Sequence, residues 1–221
     1  MPPAVRPRLV EQDNYEAALR IAQERWRGLD PLRQAARSGS EVHHGDGGRS
    51  TVSVSVPFLG RIFEVTHPDG RVGLAGGWAS PSVWEQILVM HYLCSERPVP
   101  DTDRVIAFSE IPDGKFYDAT YQRRTKLHLL RVFGSAPERL LEAARAVGAQ
   151  SAAMGDVAVS VRAFPLVDVH VLLWRGDDEF PPDASVLLGE RIRGFLDAED
   201  TAVLAGLVVS YLAKAASRVE S

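Results

Sequence analysis

The residue types best suited to chemistry gather late in the chain. Asp177, Asp178 and Glu179 are consecutive, with Asp183 downstream, in a turn bounded by Gly176 and the Pro181-Pro182 pair. Carboxylates at this density can hold a divalent cation, act as a general base or meet a basic partner. Their spacing does not fit an EF-hand loop, and a solvated turn that discourages strand-edge pairing is the plainer reading. Trp174 and Phe180 flank the turn and are expected to anchor it. Just upstream, Asp168 and His170 stand two apart on a strand and therefore share a face. A carboxylate so placed can orient a histidine as a base. No nucleophile is identifiable beside them, and an exposed strand face is the plainer reading.

Arg123, Arg124, Lys126 and His128 form a basic cluster able to hold an anion such as phosphate or carboxylate, or simply a solvated helix face paired with nearby acids. His91 and Cys94 are three apart on a helix, and His43-His44 sits in a Gly-rich stretch. Each pair offers two donors, which is short of a metal site. No metal is predicted. The chain contains no GxSxG, HExxH, P-loop, CxxC or GxGxxG signature.

The totals bound the class. A chain of 221 residues with 45% hydrophobic and 24% charged residues can bury a full core. A net charge of −4 argues against a broad nucleic-acid surface. Cys94 is the sole cysteine, so neither an intrachain disulfide nor a multi-cysteine cluster can form. No uninterrupted apolar run reaches the roughly 18 residues of a membrane span. The opening MPPAVRPRLVEQDN has no apolar signal core. The expectation is a cytoplasmic protein with no membrane and no nucleic-acid partner.

Elements must position these groups. Three prolines mark an irregular arm over 1–13. Tyr15, Ala18, Leu19, Ala22, Trp26 and Leu29 then form one apolar stripe, a helix from about Asn14 with Asp13 or Asn14 as its cap. A short helix over 32–37 and a polar loop over 38–50 follow. Alternation over 51–56, a break at 57–60, and apolar runs at 61–66 and 71–74 predict an antiparallel meander. Ser80-Pro81 opens a buried helix over 83–94. Beyond a short strand at 105–108, helices are expected over 116–133 and from 136 to Val147. Strands follow at 157–161, 168–174 and 185–188. Asp197 caps a last helix over 198–217, with Glu199 and Asp200 in its first turn, and 218–221 form a tail. The fold class is α+β: a single domain over 14–217 with antiparallel strands at about 51–74 and 157–188 covered by four to six helices.

The segment Trp174-Arg175-Gly176-Asp177-Asp178-Glu179-Phe180-Pro181-Pro182-Asp183-Ala184 resembles the signature of an uncharacterised bacterial and archaeal family, domain-of-unknown-function family 3786. So do Pro57-Phe58-Leu59-Gly60, His91-Tyr92-Leu93, the Phe108 to Tyr117 turn and the Glu199-Asp200 helix start, in matching order over about residues 14–213. The resemblance implies site positions at Glu110, Tyr117, Arg123, Asp177, Glu179 and Asp200, and apolar residues where this chain has Asp168 and His170. It also implies kinship with proteins fused to four-cysteine iron–sulfur domains of the corrinoid type, cysteines that this chain lacks.

The leading expectation is a ligand- or cofactor-binding accessory module, serving corrinoid or other tetrapyrrole metabolism. Its cleft would be lined by the acidic loop and the Tyr117–Arg123 segment. One alternative is a small enzyme with Asp177 or Glu179 as general base and Arg123 holding an anionic substrate; those side chains must then converge in one pocket. The other is an adaptor whose acidic loop docks a basic partner protein, which requires a solvent-facing loop.

Overall fold

Apolar residues recurring every three to four positions draw the first described segment into helix α1, Val10–Arg27. The computed structural model describes residues 10–44, 52–77 and 80–219, so most of the expected arm and the end of the Gly-rich loop lie outside the described residues. The helix starts four residues earlier than Asn14 suggested. Asp13 and Asn14 lie within it and do not cap it, because the backbone register continues back to Val10.

By internal contacts the chain falls into two compact units, residues 1–55 with 63–94 and residues 56–62 with 95–221. Both are α+β. In the first, α1 is followed by α2, Pro31–Ser38. Asp30 caps α2 by accepting from the Leu32 amide (3.0 Å), with Pro31 at the first turn and Gly39 at φ 68° closing it. Strands β1 (Glu41–His44), β2 (Val52–Phe58), β3 (Arg61–His67) and β4 (Val72–Leu74) form a sheet in that spatial order. The polar stretch expected as loop thus contributes an edge strand, with His43 and His44 exposed on it. Pro57 and Phe58 continue β2 rather than breaking it.

Helix α3, Val83–Cys94, is buried on most sides. Trp26 is wholly buried and its Nε1 donates to the Thr66 carbonyl (3.0 Å), while the Tyr92 hydroxyl donates to the Ser38 carbonyl (2.6 Å). These bonds satisfy the polar ends of two aromatics that carry much of this core. Cys94 is buried, and its Sγ contacts the Ala22 carbonyl at 3.6 Å.

The second unit is built on a sheet of β5 (Val105–Ile106), β6 (Gln150–Ser151), β7 (Val157–Phe164), β8 (Val167–Trp174) and β9 (Asp183–Gly189). Its order is β5-β9-β8-β7-β6 and every pairing is antiparallel. Register places Val159, Val171 and Val186 side by side, all buried. This face packs under α5 (Lys126–Phe133), α6 (Arg139–Ala146) and α7 (Ala198–Val219), while α4 (Gly114–Arg124) lies against α5 and α7 and its Tyr121 hydroxyl donates to the Val186 carbonyl (2.7 Å). Each fully buried Val or Leu contributes about 1.5–3 kcal/mol to this core. Within α7, Ala198–Arg218 is long and apolar enough to cross a membrane, and 61% of it is buried inside the fold.

The helix expected over 116–133 is two helices. At Thr125 (φ −111°, ψ −83°) the buried hydroxyl donates to the Tyr121 carbonyl (2.7 Å), drawing the chain out of register. The break lets α5 turn Leu129 and Phe133 into the core.

The tip of the β2–β3 hairpin, 56–62, groups with this second unit. Leu59 (φ 48°) and Gly60 (φ 75°) make its turn, the positive-φ pair of a type I′ hairpin. The Leu59 amide donates to the Ala163 carbonyl (3.0 Å), and Phe58 stacks on Phe164 with ring centroids 4.4 Å apart.

Candidate functional site

The opposite face of the five-stranded sheet is polar and half exposed. Period-2 alternation places Ser160 and Arg162 of β7, Asp168 and His170 of β8, and Ser185 and Leu187 of β9 on it. The hairpin turns at Pro165-Leu166, and a register shift between Arg162 and Phe164 sets Arg162 opposite Asp168. Arg162 Nε donates to Asp168 Oδ1 (2.6 Å) and Nη1 to the Pro165 carbonyl (2.9 Å).

A pocket of about 310 Å³ opens here. Its floor includes Asp168, His170 and Gly189; Thr102, Asp103 and Arg191 form one side, with Arg162 and the Pro165-Leu166 turn on the other. Arg191 belongs to a 3₁₀ turn, Glu190–Gly194. Its Nε donates to the Thr102 carbonyl (3.2 Å), and its Nη2 lies 3.3 Å from Asp103 and 3.8 Å from Asp101. Those two aspartates are fully solvated, so water screens these pairs and they hold Arg191 only weakly.

His170 is the group whose state matters most. Its Nδ1 is buried and has no hydrogen-bond partner. Burial pushes the imidazole pKa below its ordinary value of 6.5, while the Asp168 carboxylate pulls the other way more weakly. The ring is therefore neutral at physiological pH; it lines the cavity, while its Nδ1 is shielded from solvent.

The six residues implied by the resemblance lie elsewhere in the second unit, and none lines this pocket or a smaller one of about 190 Å³ formed by Val147, Tyr211, Lys214, Arg218 and neighbours. Glu110 is committed to its own turn: Oε1 accepts from the Ala107 amide (3.0 Å) and Oε2 pairs with Arg104. Arg104 also reaches Glu190 (3.3 Å). Tyr117 and Arg123 are exposed on α4. Asp200 is buried in the first turn of α7, where its amide donates to the Asp197 cap (2.9 Å). Asp177 and Glu179 share one exposed loop. Asp177 Oδ1 accepts from the Glu179 (2.9 Å) and Phe180 (2.7 Å) amides, which hold its pKa below the ordinary carboxylate value.

That loop is not held by aromatic anchors. Phe180 is 66% exposed and Trp174 37% exposed. Polar contacts hold it instead: the Asp177 turn, the Arg175 amide on Asp156 (2.8 Å) and the Arg175 guanidinium on Glu138 (2.5 Å). In so short and charged a loop there is no apolar volume to cover an aromatic, whereas each backbone amide needs an acceptor.

Arg162, Arg191, Asp103 and Thr102 were missed by sequence reasoning. Arg162 had no plain signal, since the Pro165-Leu166 turn in regular register sets it across from Val169 and the shift beside Phe164 moves it to Asp168. Nor did the 101–103 loop and Arg191, because they reach the pocket only through the β5–β9 pairing. Among the described residues no group of three or more His, Cys, Asp or Glu is placed to hold a metal ion.

A family model described as a domain of unknown function, DUF3786, matches residues 30–211. No curated protein and no solved structure matches the chain.

Proposed function

The chain belongs to the DUF3786 family, and on that premise we propose that it is a ligand-binding module holding a small polar molecule in the pocket above β8. The carrying observation is the lining itself: Arg162, Asp168 and Arg191 stand around the part-buried His170 ring in one concavity. Small-molecule sites join a shaped cavity to a few convergent polar groups. The volume of about 310 Å³ lies at the lower end of the roughly 300–1,000 Å³ range of small-molecule sites. It suits a small metabolite; a tetrapyrrole or corrinoid macrocycle would project far outside it. The resemblance implied apolar residues at 168 and 170, so this reading attaches to this chain rather than to its whole family.

A general base in the acidic loop is a poorer reading. Asp177 already accepts two backbone hydrogen bonds that stabilise its ionised form, which weakens it as a base. The adaptor reading has one observation in its favour: the loop faces solvent and presents Phe180 beside Asp177, Asp178 and Glu179. It predicts that Asp177→Asn with Glu179→Gln abolishes capture of a basic partner protein while leaving small-molecule binding intact.

The test of the pocket is native mass spectrometry and an absorption spectrum of gently purified protein, followed by NMR of the His170 ring against fractionated polar metabolites. A retained small mass, or a fraction that shifts the His170 resonances, is expected. A bare mass together with a ring that no fraction perturbs would sink the reading. A visible chromophore would revive the tetrapyrrole one.

A further inference from the structure

Resting on the reading of this pocket as a ligand site, we infer that its ligand is a small zwitterion: a free amino acid, or a molecule of that size with one ammonium and one carboxylate. The lining holds two arginines, Arg162 and Arg191, and two aspartates, Asp103 and Asp168. Their formal charges cancel, and each arginine stands beside an aspartate.

The hydrogen-bonding positions left over define the ligand. Arg162 uses Nε and Nη1, and Arg191 uses Nε and Nη2. Arg162 Nη2 and Arg191 Nη1 make no hydrogen bond among the described residues, and both can only donate. Asp168 spends Oδ1 on Arg162, and its Oδ2 has no partner among them. Asp168 and His170 are two residues apart on one strand face, with Cα atoms roughly 7 Å apart, and both line the pocket. An ammonium beside the His170 ring can donate to Asp168 Oδ2. A carboxylate on the same molecule then meets the spare arginine donors.

Other chemistries fit less well. A dicarboxylate meets the free oxygen of Asp168 with no proton to offer it. A polyamine meets two guanidinium groups. An uncharged polyol offers no charge to either the arginines or Asp168, so it gains only neutral hydrogen bonds. A zwitterion alone answers both signs and leaves the pocket neutral.

The experiment is titration calorimetry of the intact chain with the twenty protein amino acids. Each binder is then compared with its deaminated acid and its decarboxylated amine, and the His170 ring is observed by NMR throughout. At least one amino acid is expected to bind and shift the ring, and removal of either charged group should weaken binding roughly 10- to 100-fold. Asp168→Asn should lower affinity for the amino acid by a similar factor while barely changing that for the deaminated acid. Glu179→Gln, outside the pocket, should change neither.

A deaminated acid or an amine that binds as tightly as its parent overturns the zwitterion assignment, as does binding confined to uncharged or singly charged metabolites. In those cases the pocket still stands as a ligand site. A His170 ring that neither the amino acids nor a broad polar-metabolite panel perturbs overturns both. The analogue series uses only the natural chain, so a variant that fails to fold does not spare the inference.

Discussion

Replacing His170 with leucine should make the ligand-free protein more stable. The imidazole sits between Ser160 and Leu187 across the strands, next to buried Leu172 on the same face. Its Nδ1 is buried without a partner, and an unsatisfied buried polar atom costs about 1–3 kcal/mol. The side chain as a whole is only part-buried, so the lower end applies. His170→Leu should therefore gain about 1 kcal/mol, which for a chain of this length raises Tm by about 2–4 °C.

The effect should depend on pH. An unfolded histidine titrates near 6.5, and folded His170 titrates lower because burial disfavours its charge. Between those two values the unfolded chain holds more protons than the fold. The neutral imidazole's contribution is thus complete above pH 6.5 and is lost as pH falls through the folded value. The leucine variant lacks this loss, so its advantage should widen between about pH 7.5 and pH 5.5. Differential scanning calorimetry of both proteins, without ligand, at the two pH values makes the comparison. A variant less stable than the natural chain at pH 7.5 would overturn this expectation, because His170 would then be making a bond that holds the fold. So would an advantage that narrows on acidification. The same variant should no longer bind the pocket's ligand, a stability gain taken at the expense of function.

Leu59→Asn should stabilise the hairpin by about 1 kcal/mol, since leucine at φ 48° carries a steric penalty that asparagine largely avoids; a urea midpoint that falls would contradict it. Gly194→Ala should destabilise by about 1–3 kcal/mol, because the new Cβ would lie 2.7 Å from Val99 Cα, and backbone must move to admit it. Thermal denaturation measures that loss, and an unchanged Tm would show that the 98–99 segment yields freely. Asp177→Ala removes the acceptor of the Glu179 and Phe180 amides; hydrogen exchange at those two amides should quicken while Tm stays within error.

Much of the fold was legible because it rests on local periodicity. The Tyr15–Trp26 stripe, the Val83–Cys94 helix and the alternation at 157–161 each declare an element and its buried face. The misses occurred where tertiary contacts overrode the local pattern. Thr125 reads as an unremarkable helical residue, yet its back-bond to Tyr121 splits the helix. Pro57 reads as a break, but an exposed position near a hairpin tip tolerates a residue with no amide to donate. Trp174 and Phe180 read as anchors because aromatic residues usually bury themselves, and the loop lacks the volume to cover them.

The candidate site divides in the same way. That Asp168 and His170 share one strand face follows from their spacing, since a period of two is a property of the extended backbone. The crowding of the acids of 177–179 into one turn is equally local. Which of these faces a cavity depends on long-range packing. The Pro165 hairpin brings Arg162 across to Asp168, and the β5–β9 pairing brings the 101–103 loop and Arg191 to the far side. Those partners come from segments far apart in the chain, joined by strand order and register. Strand order and register are fixed by burying the Val159, Val171 and Val186 face, a collective property of the core that no local spacing around Asp168 records.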